Sequence, residues 1–119
     1  MLTREIPRDK WVQYFEGFTT DHDSWLVSLH IKDKDADHKA GDTEARKLPL
    51  REISADVKDK EHTIVITVGT SGDEMMRHEI EAVSHVHITQ TEDGIDSALL
   101  IEGRDGQATT LKLSMPASV

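Results

Sequence analysis

The hydrophobic positions of the chain change their spacing once, after an opening segment with helical periodicity. In residues 7–18 the large rings of Trp11, Phe15 and Phe18 recur at i, i+4 and i+7, which places them on one face of a helix. Gly17 and the polar residues that follow Phe18 predict the end of this helix. The pattern therefore predicts one short amphipathic helix whose aromatic face fills a core.

From Trp25 onward the apolar residues recur at every second position, which is the period of a strand with one buried face. Within residues 47–58 the apolar phase changes between Leu50 and Ile53, so we expect a bulge or kink near Arg51 and Glu52. The remaining strands are predicted in residues 63–68, 76–82, 85–90, 95–102 and 111–115.

The connections between these segments are mostly short, which favours antiparallel neighbours because parallel pairs need crossover helices. The sequence predicts a single α+β domain over residues 1–119, with one N-terminal amphipathic helix packed on a curved antiparallel β-meander of six or seven strands. Four apolar residues lie in the opposite phase: Leu26, Val65, Ala98 and Leu100. They predict either a sheet curled into a half-barrel or a second contact face, buried in a homodimer or against a protein partner.

Charge and composition narrow the classes of function. The 119 residues carry 14 Lys and Arg against 23 Asp and Glu, a formal net charge of −9, and no basic cluster exceeds the pair Arg46 and Lys47. Nucleic acids and anionic membranes are therefore not expected as partners.

No cysteine is present, which excludes disulfides and thiolate chemistry. The opening residues lack the apolar stretch of a secretory signal, and no apolar run is long enough to cross a bilayer, so we expect a cytoplasmic protein of bacterial type.

An acidic segment, residues 33–44, has the ligand spacing of a calcium loop. Asp33, Asp35, Asp37 and Glu44 occupy positions 1, 3, 5 and 12 of such a loop. His38 stands where the sharp turn requires glycine, and the preceding segment is predicted to be a strand rather than a helix. The alternative is a solvated acidic loop between two strands.

Two histidines provide a second candidate ion site. His85 and His87 flank Val86, so in a strand both imidazoles project from one face, a geometry that suits zinc, nickel or copper. A third ligand would come from a neighbour, and the candidates are Glu79, Glu81 and His30. The alternative is a pair of hydrated surface histidines. His78 shares the phase of inward residues and is predicted to be partly buried and hydrogen-bonded.

Signs of catalysis are sparse. Ser71 lies in a turn between two strands rather than on the strand-to-helix elbow of a nucleophilic serine. Glu52 and Asp56, on the predicted irregular strand, are the least ordinary carboxylates for acid or base chemistry. The sequence thus contains no evident catalytic residues and no cofactor motif, and it leans away from an enzyme.

Several segments together resemble a family of short bacterial proteins catalogued only as a domain of unknown function. They are residues 4–11 (REIPRDKW), 25–29 (WLVSL), 48–56 (LPLREISAD) and 90–94 (QTEDG). The resemblance runs along nearly the whole chain, but its residues are formers of helix, strand and turn, so it implies no activity. The first hypothesis is therefore a non-enzymatic cytoplasmic binding or interaction module. The alternative is a domain that binds a small ligand or a divalent metal.

Overall fold

A computed structural model describes residues 2–32, 42–56, 62–69, 75–103 and 106–114. A single 3-10 turn (Arg8–Lys10) leads directly into helix α1 (Trp11–Asp21), the longer of the two helical segments in these ranges. No helix in the described ranges has the length and apolarity that a bilayer crossing requires. The strands are β1 (Leu2–Glu5), β2 (Leu26–Lys32), β3 (Asp42–Asp56), β4 (Thr63–Val68), β5 (Met76–Ile80), β6 (Val83–Gln90), β7 (Asp96–Gly103) and β8 (Ala108–Ser114).

The eight strands found in the described residues form one antiparallel sheet in the order β1-β6-β7-β8-β2-β3-β4-β5. Two meanders, β2 to β5 and β6 to β8, are joined where β8 pairs with β2. Only Glu81 and Ala82 link β5 to β6, and three Cα steps span at most about 11 Å. The sheet must therefore curl until its two ends meet, although β1 and β5 remain edge strands. Across the inside of the curl, the His78 ring lies 3.4 Å from the Thr109 hydroxyl.

Helix α1 fills the curled sheet with its aromatic face. Trp11, Phe15 and Phe18 are each at most 3% exposed and belong to one apolar cluster with the inward residues of the strands. The Trp11 indole N–H donates to the Ile6 carbonyl at 2.9 Å, which satisfies the polar atom of a buried ring. The predicted aromatic plug is confirmed, and so is the assignment of the fold to the α+β class.

The bulge predicted near Arg51 and Glu52 is also confirmed, and it explains how α1 attaches to the sheet. The register between β3 and β4 shifts between Leu50 and Glu52. The Leu50 N–H still donates to the Trp25 carbonyl; beyond Leu50, β3 has left β2 and its free edge faces the helix. The Thr19 hydroxyl donates to the Ile53 carbonyl at 3.1 Å and accepts from the Ile53 N–H at 3.0 Å. One helical side chain thus replaces a missing strand partner.

Two predictions about the fold were wrong in part. The sheet has one strand more than the predicted six or seven, because β1 precedes the helix. All four residues of β1 are exposed, so it carries no alternation of apolar and polar residues. The helix passes through Gly17 and ends at Asp21, within the polar run of residues 19–23 that was predicted, together with Gly17, to end it. Gly17 lies on the exposed side, where the absence of a side chain leaves only a modest helix-propensity penalty.

Candidate functional site

The outer face of β6 carries the two histidines singled out in the sequence. Val86 and Ile88 point inward and are fully buried, whereas His85 and His87 project from the opposite face, as predicted. The antiparallel register places Glu5 of β1 opposite His87 and Glu102 of β7 opposite His85. Because directly paired residues share a face of the sheet, two carboxylates flank the two imidazoles.

One Glu5 oxygen lies near both imidazoles, and Glu102 approaches the far side of His87. Glu5 Oε1 lies 3.4 Å from His85 Nδ1 and also 3.4 Å from His87 Nε2. Glu102 Oε1 lies 3.7 Å from His87 Nδ1. These separations exceed those of ordinary hydrogen bonds, which are 2.7–3.2 Å. The imidazole rings are nearly parallel, with an interplanar angle of 24° and centroids 6.1 Å apart.

This cluster, which we call the His–Glu cluster (Glu5, His85, His87 and Glu102), combines exposure with an unsatisfied atom. The side chains of Glu5 and His85 are each 52% exposed, so both are free to rotate, whereas that of His87 is only 26% exposed. His87 Nδ1 is buried and has no hydrogen-bond partner within the described structure. A buried polar atom without a partner costs free energy, so the cluster is incompletely satisfied as it stands.

The third ligands expected from the sequence lie elsewhere. His30 occupies the same cross-strand row as His87, through Leu100 and Thr110, but three strands away. At the usual spacing between strands this is about 14 Å, too far to share an ion. Glu79 and Glu81 form no ion pair with either histidine in the part of the chain that is described. Glu5 and Glu102 take the flanking positions, and sequence reasoning missed both because only the strand register identifies them.

The donor atoms of the His–Glu cluster do not already surround a common point. Across the described ranges, no three His, Asp or Glu side chains stand in an arrangement that would hold a metal ion without adjustment. Binding at this cluster therefore requires rotation of the exposed side chains, chiefly those of Glu5 and His85. Such rotations are low in cost on a surface, where side chains already sample several rotamers.

A second polar group, also missed from the sequence, joins the end of α1 to the start of β7. His22 is 5% exposed; its Nδ1 donates to the Phe18 carbonyl at 2.8 Å, and its Nε2 lies 3.0 Å from Asp96 Oδ2. The Gln90 amide donates to the other Asp96 oxygen at 2.7 Å. The His22 ring stacks on Phe18 with a centroid distance of 4.0 Å. Every polar atom of the imidazole has a partner, so this group is structural.

Tyr14, a half-buried residue of α1 whose ring lies near Phe18, has a shifted pKa. Burial, and secondarily the negative charge of Asp96, raise the pKa of Tyr14 from 10.0 to about 12, while Arg4 opposes the change. The phenol therefore keeps its proton throughout the neutral range and is able to donate a hydrogen bond there.

The other candidates from the sequence have different outcomes. His78 is half-buried with its ring near Thr109, as predicted. Ser71 and residues 33–41 of the proposed calcium loop lie outside the described residues; Glu44 belongs to β3. Glu52 and Asp56 are exposed on β3. Glu52 lines a groove of about 560 Å³ between β3 and α1, across from Glu16.

The apolar residues predicted to form a second contact face do not form one continuous patch, although Ala98 and Leu100 are neighbours on the same face of β7. Leu26, Val65, Ala98 and Leu100 are all half-buried. Their cross-strand partners are mostly polar: Leu100 lies between His87 and Thr110, Ala98 between Thr89 and Lys112, and Val65 between Ser54 and Glu79. The homodimer or protein partner stays a prediction. Polar residues on the neighbouring strands interrupt the apolar surface that such an interface would use.

The molecule is thus an α+β domain in which one helix packs on a curled antiparallel sheet that displays a His–Glu cluster on its outer face. Comparison with protein families places it further: a family of unknown function, DUF5335, matches residues 2–119, and the chain belongs to that family. Comparisons with curated proteins and with solved structures found no match. Membership in the family confirms the resemblance noted from the sequence and assigns no activity.

Proposed function

We propose that this domain works by binding rather than by catalysis, and that its ligand is a divalent transition-metal ion held by the His–Glu cluster. The observation that carries the proposal is the position of Glu5 Oε1, 3.4 Å from a nitrogen of each histidine. Zinc ligands at 2.0–2.2 Å in a tetrahedron are separated from one another by about 3.4 Å. The three donor atoms thus have two of the three separations that a shared ion needs.

The donor types support a transition metal rather than calcium. Neutral imidazole nitrogens suit zinc, nickel and copper, whereas calcium selects an all-oxygen shell. His85 Nδ1, His87 Nε2 and a Glu5 oxygen supply three ligands, which leaves a fourth position for water or a partner. Glu102 then faces the other nitrogen of His87, where an acceptor fixes the tautomer and orients the ring.

Metal binding would also give the buried Nδ1 of His87 the hydrogen-bond partner that it lacks. With Nε2 bonded to the ion, the ring carries its proton on Nδ1, and a small movement of Glu102 closes the 3.7 Å gap to a hydrogen bond. Binding of one ion would therefore engage Nε2 of His87 and, through Glu102, also provide a partner for its buried Nδ1. It would also join β1, the short edge strand, to β6 and β7.

The test is thermal unfolding of the tag-free chain with zinc, nickel or copper, followed by addition of EDTA. A ligand that binds only the folded state stabilises it by mass action, so at a hundred-fold excess over Kd we expect Tm to rise by about 5–10 °C. Calcium and magnesium should give no shift. EDTA should return Tm to the starting value.

Histidine variants assign the shift to this cluster. His87→Gln and His85→Gln should each lose most of the metal-dependent shift, while His30→Gln, on the same face but three strands away, should keep it. Absence of a shift in the unmodified chain would contradict the proposal. So would a full shift in the variant that carries both His85→Gln and His87→Gln.

A further inference from the structure

A small cleft opens where β1 leads into the helical segment. Its volume is about 270 Å³, and it is lined by Arg4, Ile6, Pro7, Lys10, Gln13 and Tyr14. Arg4 pairs with Ile88, an inward residue, so its side chain leaves the sheet edge on the inner face, toward the helix. Glu5, the next residue, leaves on the outer face and joins the His–Glu cluster.

The charge of this cleft is opposite to that of the whole chain. The protein carries a net charge of −9, yet both charged residues that line the cleft are cations. Neither Arg4 nor Lys10 forms an ion pair with a carboxylate among the residues that the structure describes. Two unpaired cations beside one cleft attract an anion, and the guanidinium group offers a planar pair of donors that matches a carboxylate.

The remaining lining supplies further donors and an apolar wall. The Tyr14 phenol, which holds its proton in the neutral range, and the Gln13 amide line the cleft and are both able to donate hydrogen bonds to a ligand. Ile6 and Pro7 form the apolar part of the wall. The volume lies just below the 300–1,000 Å³ of sites for drug-sized ligands, so the occupant is small.

We propose that this cleft binds a small organic carboxylate, with the carboxylate on Arg4 and Lys10 and the apolar part of the ligand against Ile6 and Pro7. None of the observations behind this proposal involves the His–Glu cluster, so the proposal stands whether or not that cluster binds metal. A carboxylate with a short hydrocarbon body uses both the cations and the apolar wall, whereas inorganic phosphate uses the cations alone.

The experiment measures binding of hexanoate, hexanamide and inorganic phosphate to the full chain by two-dimensional NMR at low salt. We expect saturable shifts with hexanoate at the amides of residues 4–14, with hexanamide and phosphate at least ten-fold weaker. Added salt should weaken hexanoate binding because exposed charges are screened. Equal binding of the amide would show an apolar cleft without anion selectivity, and equal binding of phosphate would show an unspecific cation pair; either result overturns the proposal.

Substitutions locate the site. Arg4→Gln should weaken hexanoate binding at least ten-fold, and the exposed position of Arg4 on an edge strand makes this variant well tolerated. Arg77→Gln, exposed on β5 at the other edge of the sheet, removes the same charge elsewhere and should leave the affinity unchanged. If both variants weaken binding equally, the effect belongs to net charge and the assignment to this cleft is wrong.

Discussion

The two faces of strand β6 share one backbone but differ in their burial and in the chemistry of their side chains. On the inner face Val86 and Ile88 have no exposed surface and contact the apolar core. On the outer face His85 is half exposed, and its Nδ1 lies 3.4 Å from Glu5 Oε1 on the neighbouring strand β1, a distance beyond that of an ordinary hydrogen bond. The inner face therefore carries the stability of the sheet, and the outer face is free to carry chemistry, because changes there leave the packing intact.

The largest effect should come from truncating one residue on each face. Ile88→Ala removes buried methylene and methyl groups and leaves a cavity, so we expect a loss of about 2–5 kcal/mol in the free energy of unfolding. His85→Ala, three positions away on the outer face, should change it by less than about 0.5 kcal/mol. Urea unfolding of both variants without metal gives the comparison. Similar losses in the two variants would show that the outer face also holds the fold together.

A smaller effect extends the comparison to polar groups on α1. Thr19→Val removes the hydroxyl that pairs with the Ile53 backbone and leaves a part-buried N–H without a partner, so we expect a loss of about 1–3 kcal/mol. Thr20→Val removes an exposed hydroxyl that bonds only to the Glu16 carbonyl within the helix. This matched change should cost under about 0.5 kcal/mol. Equal costs measured by urea unfolding would mean that the Thr19 contact does not support the free edge of β3.

The smallest effect is a dependence on alkaline pH that arises from Tyr14. In the unfolded chain the phenol ionises near its ordinary pKa of 10.0, while in the folded protein its pKa is raised to about 12. The stabilising contribution is therefore complete below pH 10 and is lost as the pH rises toward 12. Stability should fall less steeply over this interval in Tyr14→Phe than in the unmodified chain. Because Tyr14 is the sole tyrosine, its absorbance gives the folded pKa directly, and a value near 10 would contradict the prediction.

The spacing of apolar residues along the chain correctly predicted those features that depend only on residues close together in the sequence. The spacing of Trp11, Phe15 and Phe18 predicted the helical face, and the phase change before Ile53 predicted the bulge. The shared face of His85 and His87 follows from the period of a strand alone. These features depend on backbone geometry within a few residues, which the order of side chains already determines.

Features that depend on long-range pairing were not predictable in this way. The polar strand β1 is defined only by its partner β6, and the pairing of β8 with β2 joins segments far apart in the chain. The neighbours of His87 depend on the same register, which is why Glu5 and Glu102 replaced the candidates chosen from the sequence. Helix α1 passes Gly17 because packing of its aromatic face outweighs the propensity of one exposed residue.

The four-residue strand β1 has a consequence for how ligands would act on one another. Its successive residues Arg4 and Glu5 point to opposite faces, one toward the cleft and the other toward the His–Glu cluster. A ligand at either place would restrain the same short segment, which pairs with β6 alone among the described strands. The ligand that binds first would bear the entropic cost of ordering β1, and the second would then bind more tightly, by the same factor in either order. The amide protons of β1 would report this thermodynamic coupling as slower hydrogen exchange.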